Sequence, residues 1–116
     1  MIHRADKLWG HEEWLVNTEK YCSKILYIKH GYLVSYHYHK IKDETFYILN
    51  GAVRMMIADR PDSEMRTIQL NEKDQIRIYP NMPHSFESLT DDSRILEVST
   101  HHEEEDSYRL TPSRKL

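Results

Sequence analysis

The pair His37-x-His39, followed by Glu44, is the part of the chain best suited to chemistry. Two histidines at i and i+2 on a strand point to the same side, so both imidazoles can meet one metal ion. A carboxylate five residues later can add an oxygen ligand across a bend. His84, which opens a further segment just after Pro80 and Pro83, offers a third imidazole. Three histidines and a glutamate suit one divalent transition metal (Mn, Fe, Co, Ni or Zn) and leave coordination positions open for substrate or water. An isolated His-x-His is more often surface or core packing, so the wider pattern decides how much weight this set carries.

The elements that must position these side chains read as short strands of period 2. They cover 12–16, 24–29, 32–39, 44–50, 52–58, 66–70, 75–79, 84–89 and 94–99, with Ile, Val, Tyr and Leu prominent. Turn signals separate them at Asn50-Gly51, Arg60-Pro61-Asp62, Asn71 to Asp74, Pro80-Asn81 and Asp91-Asp92. This spacing predicts an all-β sandwich or barrel. Parity places Leu33, Ser35, His37 and His39 on one face and Tyr32, Val34, Tyr36 and Tyr38 on the other. Glu44, Phe46 and Ile48 share a face, as do Ile95, Glu97 and Ser99. Residues 1–11 read as an irregular arm, 12–100 as the barrel and 101–116 as a tail, with a weak helical expectation over 102–110.

A chain of 116 residues implies one domain. Its 16 Lys+Arg against 19 Asp+Glu argue against a nucleic-acid partner. One cysteine, Cys22, excludes an internal disulfide framework and a cysteine-rich zinc site. No apolar run approaches the length of a membrane span, and the first ten residues lack the apolar stretch of a signal peptide. The expected compartment is therefore the cytoplasm, with no membrane partner. Both faces of the central strands are partly apolar, which predicts a homodimer.

The spacing Gly31, His37-x-His39, Glu44, Gly51 resembles the first motif of the cupin superfamily, and Tyr79 to Phe86 resembles the second. The second departs at its glycines, where Asp74-Gln75 and Met82-Pro83 stand instead. The resemblance implies a double-stranded β-helix, a jelly-roll-like barrel, with the metal held by His37, His39, Glu44 and His84. Lys7-Leu8-Trp9-Gly10-His11-Glu12 resembles the opening of type II phosphomannose isomerases, with Leu8 in place of a proline. Lys24 to Ile28, Ile95 to Val98 and Glu105 to Leu110 are similar to later stretches of that family. That family spaces its glutamate closer to the histidine pair and usually belongs to a longer fused chain. The form His-x-His-x-x-Lys-x-Glu, with Lys42 two before Glu44, is closer to sugar isomerases such as the D-lyxose isomerases.

The resemblance implies a metal-dependent sugar or sugar-phosphate isomerase. Such an enzyme needs a Lewis acid, a proton-moving base and a group to steady charge. Lys42, Glu97 and Arg109 are the catalytic candidates, with Arg109 also suited to a phosphate. Trp9, Lys24, Arg77 and His101 are the candidates for binding substrate. An Fe(II)-dependent small-molecule dioxygenase and a non-catalytic sugar-binding module are the rival readings.

Overall fold

The computed structural model describes residues 2–116. Thirteen strands are present among them: β1 (His3–Lys7), β2 (Gly10–Asn17), β3 (Cys22–Lys29), β4 (Tyr32–Leu33), β5 (Tyr36–Tyr38), β6 (Glu44–Asn50), β7 (Ala52–Ile57), β8 (Arg66–Asn71), β9 (Gln75–Ile78), β10 (His84–Ser88), β11 (Asp92–Ser99), β12 (Tyr108–Thr111) and β13 (Arg114–Lys115). A single 3-10 turn, Glu104–Asp106, interrupts the tail. No helix is long and apolar enough to cross a membrane.

Two antiparallel sheets face each other. One has the order β1-β2-β3-β11-β6-β9. In the other, β10 lies between β7 and the pair β4/β5, with β8, β12 and β13 outside them. The expected strands are present because their alternation matches the pleat. In β3, β6 and β11, every second residue is buried. Ile28, Ile48, Val53, Met55, Phe86 and Ile95 form the dry centre between the sheets. Register then sorts polar from apolar side chains along the six-stranded sheet. Glu12, Leu26, Ile95 and Ile48 form one interior row. Trp14, Lys24, Glu97 and Phe46 form the next. Ser99 and Glu44 pair in the row beyond. Charged groups thus gather at one open end of the sandwich, above the apolar core.

Three expectations change. Residues 1–11 are not an irregular arm, because β1 pairs with β2 from His3↔Trp14 to Lys7↔Gly10. The strand His3–Lys7 carries almost no apolar residue, so its sequence lacks the alternation that marks a half-buried strand. The segment 32–39 is two strands, because the chain steps inward at Val34 and Ser35, both buried. That step lets Val34 join the core despite its outward parity. The region 102–110 is not a helix, since after one 3-10 turn it pairs with β5, and β13 then pairs with β4.

Two glycines make tight geometry possible. Gly51 turns between β6 and β7 at φ +85°, in the left-handed region that favours glycine. Gly10 has φ +147°, and a Cβ there would collide with the Tyr27 carbonyl of the neighbouring strand. This approach seats Trp9, whose carbonyl accepts from Lys29 N at 2.8 Å, in the wall of the core. Gly10→Ala should destabilise the fold by about 2 kcal/mol or more. Thermal unfolding followed by circular dichroism checks this; an unchanged midpoint would refute the packing account.

Candidate functional site

The open end of the sandwich holds a cavity of about 420 Å³. His37 from β5, His39 just beyond it, His84 at the start of β10 and Glu44 at the start of β6 line its floor. His37 and His84 are direct register partners across the second sheet. One nitrogen from each of the three histidines lies within 4.8 Å of the other two. Glu44 reaches across from the first sheet, with Oε2 3.2 Å from His84 Nε2 and Oε1 3.8 Å from His39 Nε2.

Each imidazole is oriented by a backbone carbonyl. Nδ1–H of His37 donates to Ser35 O at 2.9 Å, that of His39 to Asp106 O at 2.8 Å, and that of His84 to Met82 O at 3.0 Å. These bonds fix one tautomer in the neutral rings and leave each Nε2 lone pair free for a ligand. Burial, reinforced by the neighbouring His84 and His39, pushes His37 down to about 3, so it is neutral at pH 7. Burial likewise lowers His39, with Glu44 opposing.

The fit to a metal rests on Glu44. Its carboxylate is 2% exposed, and with the three imidazoles neutral Oε2 has no hydrogen-bond donor. A buried acceptor without a donor is costly. A divalent cation shared by Glu44 and the three Nε2 atoms would satisfy all four groups, and the donor set suits a transition metal. Without a metal, burial acts against charge on both partners, but attraction between His84 and Glu44 wins. It holds His84 above the usual histidine range and Glu44 below the usual carboxylate range.

Above the floor, Lys42 ties the acidic groups together. Its Nζ lies 2.6 Å from Glu97 Oε2 and 3.4 Å from Glu44 Oε1, and donates to His102 Nδ1 at 2.9 Å. Burial works against the ammonium, but Glu97 and Glu44 hold its pKa well above the ordinary lysine range. Ser99 Oγ donates to Glu97 Oε2 at 3.0 Å. Lys24 differs. It is just as buried, yet its Nζ only approaches Glu12 Oε1 at 3.8 Å and lies 3.9 Å from the centre of the Trp14 ring. Burial pushes its pKa down.

Of the residues singled out in the sequence, Lys42, Glu97, Lys24 and Trp9 line the cavity, and Arg109 stands at its rim opposite His37 in register. Arg77 and His101 do not line it. Arg77 faces outward, pairs with Asp43 at 2.6 Å and stacks on Tyr79. The alternation of β9 explains this, since Ile76 and Ile78 take the inward positions. His101 donates from Nδ1 to Thr18 O at 2.6 Å, and its neighbour His102 turns inward instead. Sequence reasoning also missed Glu12 as a wall residue, although it shares parity with Trp14. It missed Asp106 too, whose role depends on a contact 67 residues away.

No family model and no curated protein matches the chain. Solved structures do. The chain is similar to oxalate decarboxylase from Bacillus subtilis, with 22% identity over 94% of this chain and 30% of that one, at a TM-score of 0.82. It is also similar to the capsular polysaccharide assembling protein CapF from Staphylococcus aureus, with 18% identity over 96% of this chain and 34% of that one, at a TM-score of 0.84. The chain therefore has the cupin fold. It spans about a third of the length of those proteins, 30% and 34% respectively.

Two outcomes test the floor. His37→Ala removes one of three imidazoles and should strip a bound metal; full occupancy by elemental analysis in that variant would refute the ligand set. Metal uptake must also displace the proton that Glu44 holds on His84. Because that histidine's pKa is raised, the proton is present below the raised value and lost above it. Apparent metal affinity should therefore rise with pH until His84 is neutral. Calorimetric titration in buffers of different ionisation enthalpy should show proton release on metal binding that shrinks as the pH is raised.

Proposed function

We propose that the protein is a metal-dependent aldose-ketose isomerase acting on a small sugar. The observation that carries this reading is Lys42, clamped between Glu97 and Glu44 directly above three convergent histidines. Moving a proton between C1 and C2 of an open-chain sugar needs a base close to those carbons and a cation close to their oxygens. Glu97 is the base. Its carboxylate is paired with Lys42 and accepts a hydrogen bond from Ser99 Oγ. Glu97 takes the proton from C2 while Lys42 donates one to O1, giving the enediol; Lys42 then recovers a proton from the O2 hydroxyl as Glu97 returns its proton to C1. A divalent metal held by His37, His39, His84 and Glu44 would supply Lewis-acid polarisation of the sugar oxygens.

The walls suit a neutral, hydroxyl-rich ligand. The Lys24 ammonium makes no hydrogen bond among the described residues and can donate to sugar hydroxyls. Trp9 adds an apolar surface to the wall. Four cations line the cavity, Lys7, Lys24, Lys42 and Arg109, against five carboxylates, Asp6, Glu12, Glu44, Glu97 and Glu104. Lys42 is committed to Glu97 and Glu44, and the remaining cations Lys7, Lys24 and Arg109 share the wall with Asp6, Glu12 and Glu104, whose charge opposes a phosphate. This balance favours an unphosphorylated sugar over a sugar phosphate. The Mn(II) centres named for the Bacillus subtilis oxalate decarboxylase make manganese the first metal to supply.

The test is a panel of free aldoses and their 6-phosphates, incubated with the manganese-loaded protein in deuterated water and followed by proton NMR. Interconversion with exchange at C2 is expected for a free sugar. Glu97→Gln should lower kcat by about 10²–10⁴-fold while leaving bound metal in place. No exchange with any sugar, with metal demonstrably bound, would overturn the isomerase. Oxygen uptake with Fe(II) would point to the dioxygenase instead.

A further inference from the structure

Asp106 lies outside the floor of the cavity, in the 3-10 turn of the tail, yet it makes contacts with two parts of the site. It is 6% exposed, and its carboxylate takes part in no ion pair among the described residues. Three successive backbone amides satisfy it instead. Lys40 N donates to Oδ1 at 2.9 Å, Ile41 N reaches both oxygens at 3.2 Å, and Lys42 N donates to Oδ2 at 3.0 Å. The main-chain carbonyl of the same residue accepts from His39 Nδ1 at 2.8 Å.

These are two separate jobs. The carboxylate shapes the bend 40–42, which joins His39 to Glu44 and carries Lys42. Three donors converging on one side chain hold the bend more firmly than a single contact would. The carbonyl sets the tautomer and ring plane of His39. The tail holds Asp106 in place on both sides: its own N–H donates to Glu103 O at 3.1 Å, and β12 then pairs with β5, the strand of His37.

We propose that Asp106 is the positioning residue of the site, setting both the His39 ligand and the Lys42 ammonium from the C-terminal tail. The inference rests on the metal reading above. Removing the carboxylate frees the bend, so the His39 imidazole and the Lys42 amine lose their common reference while all four ligands remain in the chain.

The experiment uses cobalt as a probe, because its visible spectrum reports ligand geometry without any turnover. Wild type, Asp106→Ala, Asp106→Asn and the exposed neighbour Glu105→Ala are titrated with Co(II) and checked for folding by circular dichroism. Asp106→Ala should keep one cobalt per chain but bind it about ten- to a hundred-fold more weakly, with a shifted visible spectrum. Glu105→Ala should match wild type. If the alanine variant does not fold, Asp106→Asn, which keeps the shape and turns a donor toward the amides, should show the same shift. Folded Asp106 variants with wild-type affinity and spectrum would overturn the positioning role alone. A wild type that binds no cobalt would overturn the metal centre and this inference with it.

Discussion

Glu44 is a carboxylate almost sealed from water at the meeting point of two sheets, and the groups around it are arranged to offset its charge. Burying such a charge alone is prohibitive, so cationic or polarisable partners must converge on it. His84 and His39 approach it from the second sheet, and Lys42 from the bend above. With His84 neutral, one oxygen is left without a donor. The polar end of the sandwich is organised around that deficit, and a divalent cation is the species that would remove it.

The two buried lysines show how environment divides roles within one cavity. Lys42 is held by two carboxylates and stays charged. Lys24 sits against an indole with only a distant carboxylate, and burial weakens its hold on a proton. Register makes this contrast possible. Lys24, Glu97 and Phe46 occupy one row of the first sheet, so the charged groups stand beside the aromatic floor. The core below, from Ile48 and Ile95 to Phe86, is dry and anchors these strands.

Much of this was legible from alternation and spacing. The inward parity of Ile95, Glu97 and Ser99 follows from period 2, and so does the shared face of Glu44, Phe46 and Ile48. His37 and His39 converge because i and i+2 share a side. The same rule applied to β9 would have turned Arg77 outward, given Ile76 and Ile78 on either side of it. The strand His3–Lys7 was hidden because its side chains are polar, and its place in the sheet comes from backbone pairing with β2. The tail was hidden for a similar reason: a charge-rich run has no apolar period, and its strands form only because β4 and β5 leave edges to pair with.

The sequence by itself determined most of the shared faces, where the turns fall and that His37 and His39 point the same way, because side chains alternate along a strand; His84 and Glu44 were joined to them by the resemblance to the cupin motifs. Only the tertiary structure decided which cation answers which carboxylate, that His102 rather than His101 turns inward, and that Asp106 holds the bend beside Lys42. Those outcomes depend mostly on contacts between segments distant in the chain, such as Lys42 with Glu97 and His102, and His39 with Asp106. A local pattern carries no information about which distant backbone group will be within hydrogen-bonding reach.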